Sequence, residues 1–372
     1  MECKYFGECG ACRVYENGYE AQLSDKVELN RERFSSFYSG EISVIESPQE
    51  HYRYRSEFKI WHKTDNEIDY AMTNSDKNGV IFVDECPQVS EYISNLMPKL
   101  LAAISAHKIG FKLFAVDFLS SSSGEIVVSL LYHRKLDEAW AEVASQISKE
   151  LTIHIIGRSR GQKVVIGQDS VLESLNINGN VYEFNHIENS FTQPNPRVNE
   201  QMITWALKNL SNIDGDLLEL YCGAGNFTIP FAKKFNKILA TEVSKSSINA
   251  AKANMLLNSV TNIEFVRMSV EEFVQALDGV RKFNRMSEVD IDSYSIKTIF
   301  VDPPRSGMDD ASCRFASRYE HILYISCNPV TLLRDLEILC QTHVITDMAL
   351  FDQFPYTHHV EMGVKLIQKG LE

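Results

Sequence analysis

Thr298-Ile-Phe-Val-Asp302-Pro303-Pro304-Arg305, followed by Ile322-Leu-Tyr-Ile-Ser326-Cys327-Asn328-Pro329, decides the fold of this chain. Each stretch is an apolar run of strand length that ends in turn residues. A helical pattern over 309–318 joins them, so the three make a β-α-β unit. Such a unit puts both polar ends on one carboxyl edge of a parallel sheet, where α/β folds bind their ligands. Outward from there the alternation continues. Strands are expected at 216–221, 237–242, 262–267, 297–302 and 321–326. Helices are expected at 226–234, 245–258, 270–277, 309–318 and 330–340, and two strands close the chain. This pattern predicts an α/β fold with a doubly wound, mostly parallel sheet over residues 188–372.

The pattern before 188 is different. Residues 41–187 read mostly as short strands, with helices near 88–106 and 136–149, and Asn178-Gly179 marks a hairpin turn. Residues 1–40 read as an irregular cysteine-rich segment followed by a charged amphipathic helix over 16–37. The chain of 372 residues is 44% hydrophobic, enough for two or three buried cores. Its formal net charge of -13 argues against a generally basic nucleic-acid binder, so RNA contacts must come from local patches. No apolar signal region or bilayer-length run is present, and the expected location is the cytoplasm. Eight cysteines in such a compartment point to metal or catalysis before disulfides.

Cys327 stands at a strand end and directly before a helix start, with Pro329 suited to the first helical turn. The positive helix end is expected to lower its pKa and make it a thiolate nucleophile. The bland alternative is a buried core thiol. Asp216-Leu-Leu-Glu219-Leu-Tyr221-Cys222-Gly223-Ala-Gly225-Asn226 reads as strand, glycine turn and helix start. Its glycines would let backbone approach a ligand closely. Glu242, closing the next strand, suits ribose hydroxyls. Thr228 stands where a dinucleotide fingerprint has its third glycine, so the loop favours S-adenosylmethionine, which has no pyrophosphate. An ordinary tight βα turn remains the alternative.

Two stretches carry local positive charge. His51-Tyr-Arg-Tyr-Arg-Ser-Glu-Phe-Lys-Ile-Trp-His-Lys63 interleaves basic and aromatic residues, and Arg158-Ser-Arg-Gly-Gln-Lys163 has no acid. Basic residues meet phosphates and aromatics stack on bases, although a solvated strand face has the same composition.

Gln193-Pro-Asn195, Leu218-Glu-Leu-Tyr-Cys-Gly-Ala-Gly-Asn-Phe227, Phe300-Val-Asp-Pro-Pro-Arg-Ser-Gly307, Ile325-Ser-Cys-Asn-Pro329 and Phe351-Asp-Gln-Phe-Pro-Tyr-Thr-His-His-Val-Glu361 occur in this order. Together they resemble the RNA 5-methyluridine methyltransferases, most closely the branch acting on the T-loop uridine of tRNA. The resemblance runs from about residue 20 to the C-terminus. It implies a class I, Rossmann-like methyltransferase domain with a seven-stranded sheet and an N-terminal, mainly β (α+β) RNA-binding domain over 41–187. It implies Cys327 as nucleophile and Glu361 as the base that removes the C5 proton. It implies Gln193, Tyr221, Asn226, Glu242 and Asp302 as S-adenosylmethionine contacts, and Lys59, Phe114, His133 and Arg305 as RNA contacts. The implied partner is the T arm of tRNA, with tmRNA or ribosomal RNA as alternatives, for a monomeric enzyme with no membrane partner.

Cys3, Cys9, Cys12 and the distant Cys86 resemble the [4Fe–4S] ligand set of the 23S ribosomal RNA branch of the same family. Four thiolates would hold zinc equally well by count. Two other readings stand beside this one. An amino-group methyltransferase would carry an aromatic where Arg305 follows Asp-Pro-Pro, and would have no use for Cys327. A non-catalytic RNA-binding protein with a redox-sensing cluster would need neither Cys327 nor Glu361.

Overall fold

The computed structural model describes residues 1–13, 17–64 and 67–371. The expected helix over 16–37 runs Gly18–Phe34 (α1), residue 16 lying outside the described residues. Strand Ile42–Ile45 (β1) follows. Next come Arg55–His62 (β2), Ile68–Thr73 (β3) and Val80–Phe82 (β4), then helix Glu91–Ala106 (α2). Leu113–Ser120 (β5), Ile126–Tyr132 (β6), helix Glu138–Leu151 (α3), His154–Ser159 (β7) and Gln162–Ile166 (β8) complete this part. Strands β2 to β8 form one seven-stranded sheet in the order β4-β3-β2-β5-β6-β7-β8. Its one face packs on α2 and α3 through Phe58, Leu96, Val116, Val128 and Trp140. Alternation puts Lys59 and Trp61 on the opposite face.

Ser170–Ile177 (β9) and Asn180–Ile187 (β10) pair as a hairpin. Asn178 (φ 52°) and Gly179 (φ 77°) form its two-residue turn, as the sequence predicts, because both central positions need left-handed backbone. Helix Pro196–Leu210 (α4) leads into the second sheet, capped by the Asn195 side chain on the Val198 N–H.

The second half alternates as expected. Its elements are Asp216–Leu220 (β11), Thr228–Phe231 (α5), Ile238–Thr241 (β12), Lys245–Leu257 (α6), Ile263–Val266 (β13) and Val270–Leu277 (α7). Ile296–Val301 (β14), Asp310–Ala316 (α8), His321–Ser326 (β15), Pro329–Leu339 (α9), His343–Phe351 (β16) and Glu361–Gln368 (β17) follow. The helix expected over 226–234 is reduced to α5, because tighter turns such as Lys234 N–H to Phe231 C=O replace it. The sheet has eight strands in the order β1-β16-β17-β15-β14-β11-β12-β13. Seven come from the second half. The eighth, β1, runs parallel to β16 along the edge. Strand β17 is antiparallel to both its neighbours. Two apolar cores cover the sheet faces, one under α1, α7, α8 and α9 and the other under α4, α5, α6 and the β9–β10 hairpin. Among the described residues, no helix is long and apolar enough to cross a membrane.

Helix α1 is bound to the loop that precedes β17. Lys26 Nζ donates to Asp352 Oδ1 at 2.6 Å and to the Phe354 carbonyl at 3.1 Å, and Gln22 donates to Asp352 Oδ2 at 3.0 Å. Both partners of this ion pair are buried. Removing one partner strands a buried charge, which costs far more than losing an exposed pair. Asp352→Ala should lower the unfolding free energy in urea by about 3–5 kcal/mol, and Lys26→Met with Asp352→Leu should recover most of that. A single-variant loss below about 1 kcal/mol would mark the pair as effectively solvated.

Candidate active site

The carboxyl edge of the second sheet opens into a cleft of about 1090 Å³ that reaches across to the N-terminal part of the chain. It is roomy for one ligand and large enough for two small ones side by side. Cofactor-type residues line one part. Tyr221 ends β11 in a left-handed conformation (φ 61°), strained for a non-glycine residue, and turns the chain into Gly223 and Gly225. A side-chain carbon built at Gly223 would meet nothing within 4 Å, so that backbone faces open cleft. Glu242, just beyond β12, accepts from the Gly223 N–H at 3.2 Å and the Ser244 N–H at 2.7 Å. Asn226 exchanges two hydrogen bonds with Asn199 of α4, at 2.8 and 2.9 Å. Gln193, Tyr221, Asn226, Glu242 and Asp302 all line this cleft. The glycine cradle, the polar residues around it and a carboxylate just past the end of β12 fit S-adenosylmethionine.

Cys327 and Glu361 share the same cleft. The register explains how. Strand β17 pairs antiparallel with β15, and the last pair is Ser326 with Met362. One step further along that register brings Cys327 beside Glu361, although 33 residues part them in sequence. Asn328 caps α9, accepting from the Val330 N–H at 3.1 Å, and its amide donates to the Arg305 carbonyl at 3.0 Å. The bond to the Arg305 carbonyl, with Thr331 Oγ1 donating to the same oxygen at 3.3 Å, holds the Cys327 turn against the Asp302-Pro303-Pro304-Arg305 turn.

The electrostatics differ from the sequence expectation for Cys327. Its thiol is not lowered but pushed up to about 11, first by burial and then by Glu361 and Asp302, with Arg305 pulling the other way. Asn328, not Cys327, occupies the helix cap, so the helix end exerts less on the sulfur than its sequence position suggests. Burial likewise raises Glu361 well above the ordinary carboxylate range, with Asp302 adding to it. Asp302 keeps some surface exposure but lies deep enough for burial to push it up to about 7. Three acids therefore crowd one corner of the cleft, each favouring its protonated form.

The expected RNA contacts fall in two places. Arg305 is in the cleft beside Cys327. Lys59 lies on β2, donating to Thr73 Oγ1 at 3.0 Å. Phe114 is 37% exposed and stacks on His133 with ring centroids 4.0 Å apart. A register shift between Leu113 and Ala115 makes Phe114 the extra residue of a bulge, which explains an outward-facing aromatic on a buried strand. Phe114 and His133 are together but do not line the catalytic cleft.

Cys3, Cys9, Cys12 and Cys86 gather at the N-terminal end of the same cleft. Burial raises the thiols of Cys12 and Cys86, and neighbouring cysteines of the set add to it. Among the described residues, no three His, Cys, Asp or Glu side chains close on a point that could hold a single metal ion.

Sequence reasoning left several cleft residues unnamed. Arg53 lies over the Phe354 ring at 5.7 Å, and His186 lines the cleft, half-buried at its surface but deep enough for desolvation to lower it to about 4. Glu219, treated only as part of the strand pattern, is buried at the cleft with its carboxyl raised well above the ordinary range. Only a carboxylate in an otherwise apolar strand could have signalled it.

The sequence model of the tRNA (uracil-5-)-methyltransferase family matches residues 18–369. The tRNA/tmRNA (uracil-C(5))-methyltransferase of Sulfurimonas denitrificans is 73% identical over 369 residues, covering 99% of this chain and 100% of that protein. The protein of the same name from Cellvibrio japonicus is 49% identical, covering 94% of this chain and 95% of its own. The tRNA (uracil-54, C5)-methyltransferase of Pyrococcus abyssi, solved with S-adenosyl-L-homocysteine, shares the fold with a TM-score of 0.72. It is 21% identical and covers 94% of this chain and 84% of its own.

The acid cluster makes a measurable statement about Cys327. A carboxylate raises a neighbouring thiol only while ionised. Above pH 7, where Asp302 titrates, Asp302→Asn should shift the iodoacetamide alkylation profile of Cys327 to lower pH, read peptide by peptide in a mass spectrometer. An unshifted profile would leave burial and Glu361 as the causes.

Proposed function

The chain belongs to the tRNA (uracil-5-)-methyltransferase family, and on that premise we propose how its residues carry the reaction. It is an S-adenosylmethionine-dependent RNA methyltransferase that converts a uridine to 5-methyluridine, with tRNA as substrate. The T-loop uridine is the target in this reading, in keeping with the uracil-54 named for the Pyrococcus abyssi protein. Relatives named for tmRNA as well as tRNA favour a second substrate with the same T-loop shape.

The observation that carries the chemistry is Cys327 and Glu361 side by side in one cleft with the glycine cradle. Uracil C5 is too weak a nucleophile to take a methyl group unaided. Cys327 Sγ adds to C6, which turns C5 into an enolate carbon and splits one hard step into easier ones. Gln193, Tyr221, Asn226, Glu242 and Asp302 hold S-adenosylmethionine. When bound, it supplies an electrophilic methyl group and a positive charge beside three crowded acids. Glu361, which the positive charge beside it favours in the ionised form, takes the C5 proton once C5 carries the methyl group, and the C6–sulfur bond breaks to return the Cys327 thiolate. Burial keeps Glu361 a stronger base than a surface carboxylate, which suits removal of a carbon-bound proton. Arg305, Lys59, Phe114 and His133 contact the RNA. The T-loop uridine must leave its stack to reach Cys327, and in this reading Phe114, outside the cleft, takes the space that the base leaves in the RNA.

T-arm RNA carrying 5-fluorouridine at the target should form a denaturation-resistant adduct with the protein, because fluorine cannot leave as a proton does. Cys327→Ala should form none. Glu361→Gln should accumulate adduct on natural RNA and turn over at least about a hundredfold more slowly. Normal turnover by that variant without adduct would remove Glu361 from the base role.

Cys3, Cys9, Cys12 and Cys86 are proposed to hold a [4Fe–4S] cluster. Support comes from the resemblance of the four cysteines to the ligand set of the ribosomal RNA branch, and from all four lining one end of the cleft. With all four positions taken by cysteine, the cluster would be structural, pinning the N-terminal segment against the cleft wall. Protein purified without oxygen should be brown with absorbance near ~400 nm. Colourless protein with stoichiometric zinc would replace the cluster by zinc, and four freely alkylated thiols without metal would end the proposal.

A further inference from the structure

Gln353 is the second residue past β16 and is wholly buried. Its neighbour Asp352 is fixed by Lys26 and Gln22, so the backbone at this point has little freedom. Gln353 Nε2 donates to Oε1 of Gln193 at 2.7 Å. That bond decides which way the Gln193 carboxamide faces. With its oxygen engaged by Gln353, Gln193 has its two N–H donors left to offer the cleft it lines. Donors there suit a carboxylate, which S-adenosylmethionine carries at its amino-acid end.

The other half of the Gln353 amide is informative. Its Oε1 is buried and has no hydrogen-bond partner among the described residues. An unpaired buried acceptor is a cost that an apolar residue of similar length would avoid. Stability alone would place methionine or leucine here. A polar group kept where it is half-satisfied marks a position serving something other than packing.

We infer that Gln353 is a positioning residue for the methyl donor: it acts through Gln193, holding that carboxamide with its N–H groups towards the S-adenosylmethionine site. The inference rests on the reading of Gln193 as a cofactor contact. It involves no contact between Gln353 and RNA, so its effect should fall on the cofactor alone.

The test uses the full-length protein and S-adenosylhomocysteine as the titrated ligand in calorimetry, with T-arm RNA affinity measured separately. Gln353→Met should bind S-adenosylhomocysteine about tenfold more weakly, the loss expected for one well-placed hydrogen bond. Its T-arm affinity and its kcat at saturating S-adenosylmethionine should stay near those of the native protein, with the change in KM. Its melting temperature should change little, since the unpaired oxygen and the bond to Gln193 are lost together. The double variant Gln193→Met with Gln353→Met should bind no more weakly than Gln193→Met alone, because one residue acts through the other. Additive losses would overturn the inference, as would native affinity in Gln353→Met while Gln193→Met is weakened. A large fall in melting temperature would make Gln353 a stability residue and overturn it too. If Gln193→Met itself binds as tightly as the native protein, the cofactor role of Gln193 fails first, and the inference with it.

Discussion

One antiparallel strand governs the site. β17 is inserted between β15 and β16 and runs against both. In a purely parallel sheet every strand begins on the edge opposite the ligands. Reversal puts the first residue of β17 on the carboxyl edge, so Glu361 begins where β15 ends at Ser326 and Cys327. A base and a nucleophile from distant parts of the chain are thus held by backbone pairing rather than by flexible loops. A one-residue slip of β17 would turn Glu361 to the other face of the sheet, which is why the register matters more here than the identity of the surrounding apolar residues.

That strand needs a fixed entry, and the N-terminal region supplies it. The loop between β16 and β17 is held by Lys26 and Gln22 of α1, by the Arg13 N–H on the Tyr356 carbonyl, and by the Phe6 and Tyr19 rings around Tyr356. β1 closes the same edge of the sheet, where Asp352 N–H bonds back to the Ile45 carbonyl. Residues from the first eighth of the chain therefore brace the loop that aims Glu361 near its end.

Function is set against stability in the cleft. Glu219, Asp302 and Glu361 all have carboxyls raised above their ordinary values, chiefly by burial. Such a group is neutral in the fold at a pH where the unfolded chain is already ionised. Its contribution to stability is full below the unfolded pKa and is lost as pH rises through the folded one. At working pH these acids weaken the ligand-free fold, a common feature of sites built to act on protons.

The sequence by itself determined the alternating α/β half, the Asn178-Gly179 hairpin, the glycine turn after β11 and the two turns carrying Asp302 and Cys327. These are local: apolar periodicity, left-handed backbone demands and proline placement act within a few residues. Resemblance of ordered motifs named the nucleophile, the base and the cofactor residues, and the structure brings those residues into one cleft. Composition could not show that β1 leaves its neighbours in the chain to join the second sheet, or that α1 buries a lysine against Asp352. Nor could it show that Gln353 reaches Gln193 or that Phe114 is turned outward by a bulge. Nor could the helix start at Asn328 reveal that Cys327 is raised, because its neighbours Glu361 and Asp302 and its burial come from other strands. Those features depend on which distant segments pack together, and pairing, desolvation and like-charge crowding exist only once the chain has closed on itself.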